Sequence, residues 1–290
     1  MNLQLHHVVS DITGVTGMNI LRAIVAGERN PDVLAQHCDV RCKASVDTIR
    51  DALVGNYRPE HLFALRQAIE LYDTYGTKLK DCDVEIEQAL SALPKGEDVT
   101  SPAPKPRSRK AQKNEPLFDI RTLLYTLLGV DLTQIHGFGP YSVLRIVAEC
   151  GADMTRWRTA KHFTSWLTLA PGNKISGGKV LSSRTRRSAN RATSLLRLAA
   201  VAVGKTSTAL GAFFRRLASR IGAAKAVTAT ARKLAVLFYN TLRHGTAYVD
   251  PGANYYEERY RQRTITNLRR RADALGFALV EAAAPEPMAI

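Results

Sequence analysis

The chain has 290 residues, 45% of them hydrophobic and 7% aromatic, and its 41 Lys and Arg outnumber its 26 Asp and Glu for a net charge of +15. That length and apolar content support one large or two ordinary folded domains and exclude an intrinsically disordered chain. No apolar run approaches a membrane span, since Leu195–Val203 is cut by Arg197, and the scattered Cys38, Cys42, Cys82 and Cys150 with no signal peptide before them fit a reducing cytosol.

Residues 1–57 read as short helices separated by turns, with Gly14, Gly17 and Gly27 as punctuation and Pro31 opening a new helix. His37, Cys38 and Cys42 have the chemistry of metal ligands, but no fourth partner occurs at a usual spacing, so they are expected to be ordinary surface residues. From 58 to 93 the pattern changes. Leu62, Leu65, Ile69, Tyr72, Gly76, Leu79, Asp83, Ile86, Leu90 and Leu93 step alternately by three and four residues, a heptad seam broken only by Gly76 and Asp83. So narrow a stripe predicts a long helix paired with a copy of itself or with an adjacent helix, an antiparallel hairpin within the chain being the other solution.

Residues 94–116 carry five of the twelve prolines together with Lys105, Arg107, Arg109, Lys110 and Lys113, which predicts an unstructured basic linker and the domain boundary. The pattern is helical again from 117 to 280. Lys225–His244 and Glu257–Leu275 read as amphipathic helices stopped by Gly245 and Gly276, and 281–290 as a frayed tail. Without sustained two-residue alternation any sheet is minor, so the fold class is mainly α: a helical N-terminal segment, a coiled-coil helix, a basic linker and a helical C-terminal domain with a helix-hairpin-helix-like element.

The positive charge is concentrated. Residues 154–249 hold 18 of the Lys and Arg and no Asp or Glu, so the other 194 residues sum to −3. A one-signed surface of that size is tolerable beside a polyanion, which points to nucleic-acid phosphate. It also leaves no local carboxylate to hold a metal or act as a base, so chemistry there must use hydroxyls, cations and backbone amides.

Three motifs stand out. Ile135-His-Gly-Phe-Gly-Pro is an apolar-x-Gly-apolar-Gly hairpin in which Gly137 and Gly139 free the backbone to point amides at an anion at the start of the next helix; a structural αα-turn is the alternative. Ile12-Thr-Gly-Val-Thr-Gly is a cruder copy that aligns Gly14 with Gly137. Asp11-Ile-Thr-Gly also looks like the carboxylate turn of nuclease-like folds or aspartic proteases, but both need strands around the Asp, and the sequence after it is helical. Third, Pro171-Gly172 and Gly177-Gly178 bracket Ser176 with turns, which predicts an exposed hydroxyl flanked by Lys174 and Lys179 and followed by Arg184, Arg186, Arg187, Arg191 and Arg197. Serine is a poor nucleophile without a base or a positive field; the cations supply the field, and phosphoryl transfer rests on positioning and charge neutralisation. By spacing alone Ser176 is either such a nucleophile or a turn serine.

Ile-x-Gly-Phe-Gly at 135–139, Phe163-x-x-Trp-Leu-x-Leu-Ala-Pro, Ser176-Gly-Gly and Asn190-Arg-Ala with Leu196-Arg-x-Ala-Ala occur in an order that resembles one family. It is that of the insertion-sequence transposases joining a RuvC-like nuclease half with an Asp-Glu-Asp-Asp set to a serine-bearing helical half, guided by a structured bridge RNA. The resemblance extends to Asn2-Leu-Gln-Leu-His-His, the Ile12 turn and Ala231-Arg-Lys-Leu-Ala. It implies that Ser176 attacks DNA to form a phosphoserine intermediate, with Gly177 completing its motif. It implies also that the heptad segment makes a homo-oligomer and that the basic surface holds DNA, both element ends and target, and guide RNA.

The family's Mg²⁺-binding carboxylates lie in a β-rich half upstream of the heptad segment. Asp11, Asp81 and Asp83 do not match them. Residues 1–57 are therefore expected to be a remnant downstream of that half, and the chain to be shortened and impaired alone, with a cytoplasmic, nucleoid-associated location. Two other readings stand beside this one: a non-catalytic DNA- or RNA-binding protein derived from a transposase, and a coiled-coil assembly factor.

Overall fold

The computed structural model describes residues 1–94, 102–107, 115–187 and 190–281, in two units, Met1–Ile86 and Glu87–Ile290. Arg109, Lys110, Lys113 and the tail after Glu281 lie outside the described residues.

The first unit starts with four short helices: α1 (Leu5–Val8), α2 (Val15–Ala26), α3 (Pro31–Ala35) and α4 (Val46–Ala52). Pro31 opens α3 as its spacing predicted, with the Asn30 side chain accepting from Asp32 N, and Ser45 caps α4 by accepting from Thr48 N. Leu5, Ile20, Ile24, Leu34, Ile49 and Leu53 form the core of this unit. Asp11 accepts from both the amide and the hydroxyl of Thr13, an Asx turn leading into a helix, so it lies on no strand of the kind a nuclease or protease site needs. Gly17, not Gly14, meets the tightest space here, as a Cβ on it would come within 2.1 Å of Ile12 O.

α5 (Pro59–Ser91) is one unbroken helix of 33 residues. Leu62 and Leu65 pack on the first core, while Tyr72, Leu79 and Ile86 of the seam are exposed and no residue of the helix is buried.

The second unit holds α6 (Ile120–Leu128), a 3-10 turn at Leu132–Gln134, α7 (Pro140–Cys150), a 3-10 turn at Met154–Arg156 and α8 (Ala160–Trp166). A two-stranded ribbon comes next, β1 (Lys174–Ser176) and β2 (Lys179–Ser182), then α9 (Arg191–Gly204), α10 (Ala209–Ile221), α11 (Ala223–His244) and α12 (Gly252–Ala274). The chain is mainly helical, and this ribbon is the sole sheet among the described residues. No helix there is long and apolar enough to cross a membrane.

Its core is aromatic where α8 meets α11: Phe163 stacks on Phe238 at 6.0 Å and meets the edge of Trp157 at 4.9 Å. Tyr239, almost wholly buried, donates its hydroxyl to Trp157 O at 2.7 Å, so the polar end of a large apolar side chain is satisfied. Gly245 ends α11 in the left-handed conformation, and the Gly276 and Phe277 amides close α12 onto Asp273 and Ala272, as the two glycines predicted. α12 differs from expectation in starting at Gly252 and in burying no residue.

Part of the expected linker is anchored. Arg107 donates from Nε to Thr133 O at 2.8 Å and from Nη2 to Ile135 O and Phe138 O at 3.2 and 3.3 Å. Arg121 reaches Pro104 O and the Asp131 carboxylate, and Gln134 donates to Lys105 O at 3.1 Å. Residues 102–107 are therefore held by side-chain to backbone bonds that proline-rich composition does not forbid, a correction to the unstructured reading of that stretch.

Candidate functional site

Ser176 is the last residue of β1 and sits directly opposite Lys179 across a two-residue turn. Gly177 and Gly178 have φ of 54° and 73°, the left-handed pair that such a turn demands. Ile175 pairs with Val180 and Lys174 with Ser182, so Leu181 bulges out of β2. Residues two apart on a strand share a face, and directly opposed residues share one too. Lys174, Ser176 and Lys179 thus share one face of the ribbon. Every residue from Pro171 to Leu181 is exposed.

The ribbon is closed at its base by Gly172 N donating to Arg184 O at 3.0 Å. Arg186 and Arg187 lie exposed on the connection to α9, and Arg191 is exposed on the first turn of α9. The Asn190 side chain caps that helix by accepting from Thr193 N at 3.1 Å. Arg197 is half-buried farther along α9, with its Nε enclosed, and so belongs to the helix rather than to the ribbon. The structure therefore brings Ser176, Lys174 and Lys179 onto one surface, sets Arg184 at the foot of the ribbon, and leaves Arg191 and Arg197 on α9.

Gly137 and Gly139 play different parts. Gly137 has φ of +93°, and a Cβ on it would stand 2.6 Å from Val203 Cγ2 and 2.9 Å from Ala199 O, so close packing against α9 by itself requires glycine. Gly139 is the buried N-cap of α7, with Pro140 following at N1, and its carbonyl accepts from Val143 N. In the first unit Gly14 holds the N-cap place of α2, so its counterpart is Gly139, two residues from the Gly137 alignment the motif predicted.

Electrostatics around this turn come from Arg107, Arg121 and Asp131. Burial pushes the Asp131 carboxyl up, but donors from Thr133 and Gln134 and the Arg121 cation bring it to a net value below the ordinary carboxylate range. Burial, reinforced by Arg107, holds the His136 imidazole below its usual value.

The carboxylates do not fit the Mg²⁺ site that the resemblance implies. Asp11 is engaged with Thr13, Asp81 pairs with Lys78 at 3.3 Å on α5, and among the described residues no group of three or more His, Cys, Asp or Glu is placed to hold a metal. Cys38, Cys42, Cys82 and Cys150 are free thiols. Sequence reading missed the ribbon itself; the signal was Gly177-Gly178 between Lys-Ile-Ser and Lys-Val-Leu, a two-residue hairpin turn.

No curated protein and no solved structure matches the chain. Residues 131–215, from the turn before Gly137 through the ribbon to α10, match the Transposase IS116/IS110/IS902 family model. The stretch that carries Ser176 and its surrounding cations is thus where the chain resembles an insertion-sequence transposase family.

Proposed function

We propose that this chain is a transposase polypeptide acting on DNA, with Ser176 Oγ as the nucleophile. The observation that carries the reading is that Ser176 shares a face of an exposed ribbon with Lys174 and Lys179 inside the family-matched segment. In the step proposed, a bond forms from Ser176 Oγ to a DNA phosphorus while the bond from that phosphorus to one deoxyribose oxygen breaks. The hydroxyl proton passes to solvent and the leaving oxygen takes one up. Lys174 and Lys179 neutralise the non-bridging oxygens as negative charge grows, a task that needs position and cations rather than a carboxylate. Arg184, Arg186, Arg187 and Arg191 hold the flanking backbone; Gly137 and Gly139 set the turn from which α7 amides reach another phosphate. A structured guide RNA shares this basic surface, and a second copy pairs along the α5 seam.

The test is a suicide duplex whose leaving oxygen is replaced by sulfur, incubated with the chain alone and with a family RuvC-like half supplied in trans. A covalent protein–DNA species that Ser176→Ala abolishes is expected. An adduct that persists in Ser176→Ala, or none under either condition, overturns the assignment. The second reading, a non-catalytic nucleic-acid binder, is favoured by the lack of any Asp or Glu across 154–249 to serve as a base. It predicts duplex binding with no adduct. In both, log affinity falls linearly with log salt.

A further inference from the structure

α12 is a helix that no core explains. None of its 23 residues is buried. Its first half leans on α10, where Tyr256 meets the edge of Phe213 at 6.2 Å and Arg216 lies over the Tyr260 ring at 3.7 Å while pairing with Glu257. In its second half, from Thr264 to Ala274, every residue is exposed except the half-buried Ile265 and Ala272. A helix that is polar on all sides gains little from burial, so its composition calls for another reason.

That composition is one-signed. Residues 259–272 hold six arginines, Arg259, Arg261, Arg263, Arg269, Arg270 and Arg271, and no Asp or Glu. Asp273, the one acid of the distal half, comes at the very end of the helix. At about 100° per residue, Arg263, Thr266 and Arg270 fall within roughly 60° of each other, with Asn267 at the margin. Thr266 returns its hydroxyl to Gln262 O at 2.9 Å. On the same count Arg269 and Arg271 project about 100° to either side of Arg270.

We propose that α12 from Arg263 onward enters the major groove of duplex DNA and reads bases. Arg263, Asn267 and Arg270 face the base edges, and Arg269 and Arg271 reach the phosphates of the two strands that wall the groove. The shapes agree: a helix about 10–12 Å across fits the roughly 12 Å major groove of B-DNA, whereas the deep, narrow major groove of A-form RNA excludes it. Arg pairs bidentately with guanine through its planar fork, and Asn does so with adenine. Twelve residues, Arg263 to Ala274, span about 18 Å at 1.5 Å each, or about five base pairs. The reading rests on the DNA substrate proposed above but not on the serine chemistry.

The experiment selects duplexes with a randomised window from a pool using the full chain, with an A-form RNA hairpin as the comparison probe. A preference over about five contiguous base pairs is expected. Asn267→Ala and Arg263→Ala each relax it at one position by about tenfold. The pair Arg269→Gln and Arg271→Gln weakens all duplexes alike and lowers the salt slope by about two. Ser176→Ala keeps the preference, so loss of the covalent adduct and loss of base reading are separate results. No enrichment, enrichment that survives Arg263→Ala and Asn267→Ala, or α12 substitutions that weaken only RNA binding would each overturn the proposal.

Discussion

Gly137 and Ala199 approach so closely that a methyl built on Gly137 would stand 2.9 Å from the Ala199 carbonyl oxygen, a backbone atom that has no rotamer to escape into. Gly137→Ala therefore strains a left-handed residue and wedges α7 from α9 at once. The expected cost is about 3 kcal/mol, summed from backbone strain and overpacking, and is read from the urea midpoint. If Gly137 served only to grip phosphate, the variant would lose DNA affinity with its midpoint unchanged.

A second prediction concerns the ribbon. Gly177→Ala with Gly178→Ala places two side chains in the left-handed region, at about 1–2 kcal/mol each. Because the ribbon is exposed, the global unfolding midpoint should barely move while the rate of adduct formation falls by tenfold or more. An unchanged rate would show that Ser176 needs no hairpin geometry.

The third is a pH dependence. Asp131 is held below the ordinary carboxylate range in the fold, so the unfolded chain binds its proton first as pH falls. Its contribution to stability is fully present above the unfolded value of about 3.9 and is lost as pH drops through the lower folded value. Asp131→Asn should thus destabilise at neutral pH, and the gap between variant and parent, followed by urea midpoints, should close below about pH 4. A gap that stays constant through strong acid would mean that Arg121 and Thr133 do not sense the charge.

Much of the helical frame was legible because helix ends obey local rules: Pro31, Gly245 and Gly276 act within a few residues of themselves. The heptad spacing likewise foretold the single helix Pro59–Ser91. The exposed serine was legible from its flanking turns. What escaped depends on contacts distant along the chain. Gly137 meets Ala199 and Val203 only once α7 and α9 are packed, and Arg107 finds Thr133, Ile135 and Phe138 carbonyls that no side-chain pattern encodes. The ribbon escaped because strands of three and four residues are too short for an alternation to emerge.

Ile175, Val180 and Leu181 of the ribbon lend nothing to the core beneath. Variation can lengthen, shorten or disarm the tip while the helices stay folded. Under the serine chemistry proposed above, one substitution there would turn a cutting enzyme into a protein that merely occupies its former substrate, and a lineage would pass between the two trades without crossing an unfolded ancestor.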